Sequence, residues 1–383
     1  MKKFIFFTAS INRKSGGSSS ILDLSSNISN LGRDVEIYSI LGKLDLFIYK
    51  PTSFNKSVKV KIQDFNIVNS LENKPHIIKQ KINFILSKFS KSSNIKNSII
   101  FDALKLPSSY IKKLQESNNK VVLNHAGSPN SFIKYFGTNG NERSNYVKAK
   151  KEYLEYVSRY DYFWFQSKTQ ASEFLELTNF EQNRVIVLTP GANEDDIAKA
   201  KYINLGSNFN ISIIGSIHKR KGQHYLIEIA QKIPEATFHI VGKVANNSYY
   251  NNMQELIKNN SIKNIIFHGF KSNYLDYIKS SNLILQLSEE EGVSRILREA
   301  MALQKPIVAF DLEGTQDLLE NGNDSLLVEY ANIDKIIQSI KNIQNNKELR
   351  ENISKSAKNN FLNKYSNSVY LSKLNDILRL FDE

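Results

Sequence analysis

Short apolar runs rich in Ile, Val and Phe alternate along this chain with longer segments whose apolar residues recur at helical spacing. A strand buried on both faces has no polar side to show, so it reads as a continuous β-branched and aromatic run, the mark of a parallel sheet covered by helices. In the first half these runs are 3–8, 34–39, 98–102, 120–124, 162–166 and 185–188; in the second they are 210–214, 237–241, 265–267, 283–287 and 306–310. Stretches such as 18–31 and 145–159 suit the intervening helices. The class is α/β. The region 43–97 mixes polar and apolar residues without a clean period and reads as a surface insertion.

At 383 residues the chain is too long for one ordinary core and suits two domains. A boundary is expected at about 192–208, where Ala192-Asn193-Glu194-Asp195-Asp196 leads through a polar stretch to Gly206-Ser207-Asn208 and a new strand. The expected division is a first domain over 1–195, a second over 206–365, and a helix over 366–383 with apolar residues at Val369, Leu371, Leu374, Ile377, Leu378 and Leu380. The aromatic stretch 160–165, Trp164 included, is expected to fill the first core.

Composition excludes several functions. No cysteine is present, so disulfides and thiolate metal sites are ruled out and a reducing cytoplasm is the natural compartment. No apolar run is long enough to cross a bilayer. Met1-Lys2-Lys3 and the apolar residues after it start like a leader peptide, but the run stops at Thr8 with no small-residue cleavage site behind it, so a first strand is expected. The net charge is +13, and about +11 of it falls in residues 1–200, about +10 in 43–120 alone. Such a face can bind nucleic acid, an anionic membrane or a phosphorylated acceptor, or simply be a Lys-rich solvated surface. Nucleic acid ranks last, because neither a zinc-finger spacing nor an RNP-like aromatic pattern is present.

The two halves open alike. The strand 4–8 runs toward Gly16-Gly17, and 211–214 runs into Gly215-Ser216 with Gly222 beyond. Neither loop has the G-x-G-x-x-G spacing of dinucleotide oxidoreductases. A glycine at a strand-to-helix turn still lets a ligand approach the backbone, and the helix N-terminus behind it favours an anion.

The most specific pattern lies between Glu289 and Val328. Glu291 and Glu299 stand with seven residues between them; Gly292, Ser294 and Arg295 fill the gap, and Ala300-Met301-Ala302 and the strand 306–310 follow. A helix starting near Ser294 presents free N–H groups and its positive end to a phosphate, while Glu299, more than a turn in, can meet another part of the same ligand. This stretch resembles family 4 of the retaining glycosyltransferases, whose paired glutamates have this spacing. Ile213-Ile214-Gly215-Ser216-Ile217-His218-Lys219-Arg220-Lys221-Gly222-Gln223 is similar to the same family's first donor-domain strand and basic phosphate loop. Resemblance extends well over 190–345 and in outline over 1–190, where Gly16, Gly17, His125 and the segment 188–193 fall in the expected order.

The resemblance implies a GT-B fold, two Rossmann-like domains facing a central cleft with a C-terminal helix crossing back, the acceptor on the first domain and the donor on the second. It implies Glu291 and His125 as catalytic residues beside the transferred sugar, Glu299 on the ribose hydroxyls, and Lys221 on the diphosphate. Gly16, Gly17, Ser216, Arg220, Gly292, Ser294 and Arg295 complete the donor site. Ser216 stands where the family often has arginine, and Arg220 is the substitute cation. No D-x-D motif occurs, so no metal and no further cofactor are expected; the remaining histidines show no ligand spacing. The implied function is transfer of a sugar from a nucleotide diphosphate, a UDP-sugar favoured, to a glycan, lipid-linked glycan or glycoprotein acceptor in bacterial surface polysaccharide or glycoconjugate assembly. The expected location is cytoplasmic, peripheral on the inner face of the plasma membrane. Alternatives are a nucleotide-sugar-binding protein without turnover, and a nucleotide-sugar epimerase or hydrolase that consumes donor without acceptor. Retention can proceed by double displacement or by same-face attack within an ion pair; the resemblance favours the second.

Overall fold

The computed structural model describes residues 2–8, 16–39, 58–62, 95–103, 106, 108–124, 128–134 and 146–383. They form two compact units. The first comprises residues 1–190 with 371–383, the second residues 191–370.

In the first unit, seven parallel strands form one sheet: β1 (Lys3–Thr8), β2 (Val35–Ser39), β3 (Val58–Ile62), β4 (Ser98–Asp102), β5 (Lys120–Asn124), β6 (Tyr162–Phe165) and β7 (Val185–Val187), in the order β3-β2-β1-β4-β5-β6-β7. The order reverses between β1 and β4, the doubly wound pattern. Both faces are covered. Ile5, Phe7, Ile100, Val121, Leu123, Phe163 and Phe165 point into a core closed by helices Ser108–Glu116, Tyr146–Val157 and Lys168–Thr178. On the other face Phe6 stacks on Phe101 at 4.8 Å and Trp164 meets Phe101 edge-on at 5.3 Å. The aromatic stretch before β7 is therefore core, as its composition predicts.

The helix Asn367–Asp382 closes that second face. Phe381 packs edge-on against Phe4 (6.3 Å) and Tyr162 (5.2 Å), and Arg33 Nη1 pairs with Asp382 Oδ2 at 2.6 Å. Its buried stripe is Tyr370, Leu374, Leu378 and Phe381, while Leu380, expected on the apolar face, is 65% exposed. Helical phase explains this, since positions 370, 374, 378 and 381 share a face and 380 is turned away from it.

The second unit repeats the design with six parallel strands: β8 (Phe209–Ile214), β9 (Ala236–Val241), β10 (Ile265–Gly269), β11 (Leu283–Gln286), β12 (Ile307–Phe310) and β13 (Leu326–Val328), in the order β10-β9-β8-β11-β12-β13. Side-chain alternation divides its core. Leu283 and Leu285 enter one cluster with Ile211, Ile213, Phe238 and Ile240; Ile284 enters the other with Ile307, Ala309, Leu297, Ala300 and Met301.

Three expectations need correction. The region 43–97 holds a strand: Val58–Ile62, Val-Lys-Val-Lys-Ile, pairs in register with β2 at the sheet edge. Its sequence alternates valine and isoleucine with lysine, a period of two that a search for continuous apolar runs passes over. Leu326–Val328 is also a strand, too short to stand out as a run. Gly16-Gly17 are the first residues of the helix Gly16–Asn30 rather than part of a loop. His125 and most of 43–97 lie outside the described residues. Among the described residues no helix is long and apolar enough to cross a membrane, and no group of three metal-ligating side chains occurs.

Candidate functional site

In a doubly wound sheet, ligands sit beyond the carboxyl ends of the strands where the order reverses. In the second unit that point lies between the paired strands β8 and β11. The loop after β8 carries Lys219-Arg220-Lys221 in a single 3-10 turn closed by Gly222; the loop after β11 carries Glu289-Glu290-Glu291-Gly292. They are locked together. Glu289 N donates to Arg220 O at 2.9 Å. Gly222 has φ +67, and a Cβ there would lie 1.8 Å from Leu287 O, so only glycine lets the two loops meet.

Lys221 Nζ donates to Glu291 Oε2 at 2.5 Å, with 24% and 16% of the two side chains exposed. Arg220 lies 3.9 Å from Glu290 and is mostly exposed. A half-buried lysine and carboxylate this close neutralise each other, and each can release the other for a charged ligand. His218, just before the turn, has its pKa lowered by burial and by Arg220 and Lys221, keeping the ring neutral beside the cations.

The helix Arg295–Ala302 begins where the sequence places it. Ser294 is the N-cap, with Oγ accepting from Leu297 N at 3.4 Å and donating to Gln286 Oε1 at 2.7 Å. Arg298 is buried and reaches back to Gly191 O at 2.7 Å, fixing the start of the unit. Glu299 is 4% exposed. Its Oε1 accepts from the Tyr274 hydroxyl at 2.7 Å and lies 3.5 Å from Arg295 Nε, while Oε2 has no partner among the described residues. Burial raises the Glu299 pKa, opposed by Arg295, the Tyr274 hydrogen bond and Arg298. A buried carboxylate oxygen without a donor is an acceptor awaiting a ligand's hydroxyl.

Of the residues singled out in the sequence, Lys221 meets Glu291, and Ser294, Arg295 and Glu299 share one helix terminus. Gly292 supplies backbone, and Ser216 O accepts from Gln223 Nε2 at 3.0 Å in the loop after β8. Gly16 and Gly17 belong to the first unit. Sequence reading missed Tyr274 and Gly314. A Cβ on Gly314 would stand 2.2 Å from Gly292 O and 2.3 Å from Glu291 O, so this glycine is the floor on which the Glu291 loop rests.

Spacing also failed to join two histidines that the sheet brings together. Asn210 Nδ2 donates to Gly206 O and Asn208 O, which leaves its Oδ1 to accept from His239 Nε2 at 2.8 Å. His239 Nδ1 is then an acceptor, and His268 Nε2 donates to it at 2.9 Å; Tyr277 OH lies 3.4 Å from His268 Nδ1. The chain requires the His239 ring to be neutral.

Sheet order and switch-point site define a doubly wound protein of the GT-B fold. Over 100% of this chain and 99% of the other, it superposes on a glycosyltransferase from Rickettsia africae with TM-score 0.73 at 20% identity. Over 99% and 100% it superposes on Anabaena HepE in complex with UDP-glucose, TM-score 0.74 at 16% identity. Residues 194–360 match the family model described as Glycosyl transferases group 1, which covers every residue of the second-unit site built above except Gly191. Among named relatives, the poly(ribitol-phosphate) alpha-N-acetylglucosaminyltransferase of Staphylococcus aureus is 26% identical over 288 residues, 69% of this chain and 56% of that protein. The chain thus spans little more than half the length of that relative.

Proposed function

We propose that this protein is a retaining glycosyltransferase that moves a sugar from a UDP-sugar to an anionic glycan or polyol-phosphate acceptor in bacterial surface polymer assembly. The observation that carries the reading is the meeting of Lys221 and Glu291 at the switch point of the second sheet, beside a helix whose Glu299 keeps an unpaired oxygen. The helix N-terminus and Lys221 suit a diphosphate, and Glu299 suits the neighbouring ribose. HepE in complex with UDP-glucose has the same fold, which supports uridine. The basic first half suits an acceptor of opposite charge, and the relative's name, poly(ribitol-phosphate), describes such a polymer.

In the proposed reaction the bond from the anomeric carbon to the β-phosphate oxygen breaks and the diphosphate leaves with the electron pair. Lys221 and the helix N-terminus hold the charge that develops on it. An acceptor hydroxyl attacks the same face, its proton passing to the departing phosphate oxygen, while Glu291, released from Lys221, lies beside the sugar.

The test is a panel of UDP-sugars with a polyol-phosphate polymer, followed by anomeric analysis of the product. An α-linked product from an α-linked donor, with stoichiometric UDP release, is expected. Inverted product overturns retention, and donor loss without acceptor points to a hydrolase.

A further inference from the structure

The two oxygens of Glu299 have unlike surroundings, and the difference is made by one hydroxyl. Oε1 is taken by Tyr274 OH at 2.7 Å and approached by Arg295 Nε at 3.5 Å, whereas Oε2 is buried and unpartnered. The charged and titratable groups facing this carboxylate are Arg295 and Arg298 on its own helix, Tyr274 from the helix Tyr274–Ser280, and Asp196 from the helix Glu194–Ala198. Arg295 is half exposed and lies over the Tyr274 ring, 5.7 Å from its centroid, so the tyrosine also holds the arginine in place. Tyr274 is the neutral donor in this group, and its ring is anchored by packing against the buried cluster that includes Leu297, Ala300 and Met301.

We propose that Tyr274 is a positioning residue for nucleotide recognition: by occupying Oε1 it leaves Oε2, buried and without a partner among the described residues, as the acceptor that an entering ribose hydroxyl uncovers and engages, so the site distinguishes ribose from deoxyribose through a tyrosine that need not touch the ligand. This rests on the donor-site reading of Glu299 above. A carboxylate whose oxygens were both free could turn to meet water or a cation; one fixed at Oε1 presents a single acceptor in a single direction, and only a ligand with a hydroxyl there satisfies it. The same hydrogen bond favours the ionised carboxylate against the burial that opposes it.

The experiment compares UDP with 2′,3′-dideoxyuridine diphosphate by titration calorimetry from acid to neutral pH, using wild type, Tyr274→Phe, Glu299→Gln and the double variant. Phenylalanine keeps the ring, and unchanged melting temperatures establish that each variant folds. Tyr274→Phe is expected to weaken UDP on the order of tenfold, the worth of one hydrogen bond to a charged group. It should leave the dideoxy ligand nearly unaffected and move the pH midpoint of UDP binding upward. The double variant should bind no worse than Glu299→Gln alone. The proposal is overturned if Tyr274→Phe retains ribose discrimination and the wild-type pH profile, or if the two substitutions simply add. Should wild type bind no nucleoside diphosphate, the donor-site reading itself falls and this proposal with it.

Discussion

Lys221 and Glu291 lie 70 residues apart in the chain and are joined by one hydrogen bond, 2.5 Å from Nζ to Oε2. A phosphate oxygen must displace Glu291 to reach the lysine. Lys221→Ala should therefore weaken UDP by about 1.5–3 kcal/mol, the range for a charge-assisted contact. Glu291→Gln should retain or improve UDP affinity, because the ammonium no longer has a competing partner, while lowering turnover. Calorimetry with UDP and a UDP-release assay separate the two, and equal UDP affinity in Lys221→Ala and wild type would remove the lysine from the site.

Gly314 makes a second prediction. Its missing Cβ leaves space that the carbonyls of Glu291 and Gly292 fill at 2.3 and 2.2 Å. Backbone cannot give way as a flexible side chain does, so Gly314→Ala must displace the loop. We expect about 1–3 kcal/mol of lost stability together with weaker UDP binding, read by chemical denaturation and calorimetry. Normal stability with normal binding would show that the loop does not depend on that contact.

The His239–His268 chain sets a pH dependence. His239 is 1% exposed; burial first, then the neighbouring His268, lower its pKa from 6.5 to about 4. His268 is lowered by burial and by Lys271. Between those values the unfolded chain binds the proton and the folded chain does not, so the contribution is complete above about pH 6.5 and is lost as pH falls toward 4. For His239 it is on the order of 3 kcal/mol. Urea unfolding across that window should show the decline, flattened in His239→Gln; an unchanged slope would mean that the ring is not held neutral.

Much of this was legible in the sequence because the governing interactions are local or repetitive. β1, β4, β11 and β12 announce themselves as apolar runs, since burial on both faces leaves few polar positions to confuse the pattern. Val58–Ile62 hid because an edge strand alternates with lysine, and Leu326–Val328 because three residues carry no period. Glu291, Ser294 and Glu299 were readable from spacing along one turn and one helix. Tyr274 and Gly314 were not: each reaches the site across the sheet's crossovers, 25 residues before Glu299 and 23 after Glu291, and no local pattern marks a residue whose importance is where the fold brings it. The histidine pair failed for the same reason, being neighbours across β9 and β10 rather than along a helix.

The basic first half is tested on its described part. On the helix Ser108–Glu116, Tyr110, Ile111 and Leu114 face the core and Lys112 and Lys113 are exposed. Replacing both lysines with Gln should weaken binding to anionic vesicles at low salt by about 1 kcal/mol per charge without changing UDP affinity. If wild type ignores such vesicles, the charge serves solubility or a soluble acceptor.

Phe381 tests the closure of the first sheet. It is 4% exposed and packs on Phe4 and Tyr162. Phe381→Ala should cost about 3 kcal/mol, and hydrogen exchange should show faster exchange of β1 amides with those of β8 unaltered. Uniform change in both sheets, or none in β1, would contradict this assignment.

That closure reverses the order in which the protein is finished. The unit carrying Lys221 and Glu291 is one uninterrupted stretch, 191–370, and has all its parts once residue 370 has left the ribosome. The unit begun with β1 waits, Phe4 and Tyr162 without the Phe381 ring against them, until 371–383 emerge. Domains are usually completed from the amino terminus onward; here the later-made unit is whole first. A nonsense codon soon after position 370 would therefore leave the Glu291 site assembled and the amino-terminal sheet unsealed, a product that proteases would attack at the end of the molecule farthest in sequence from the mutation.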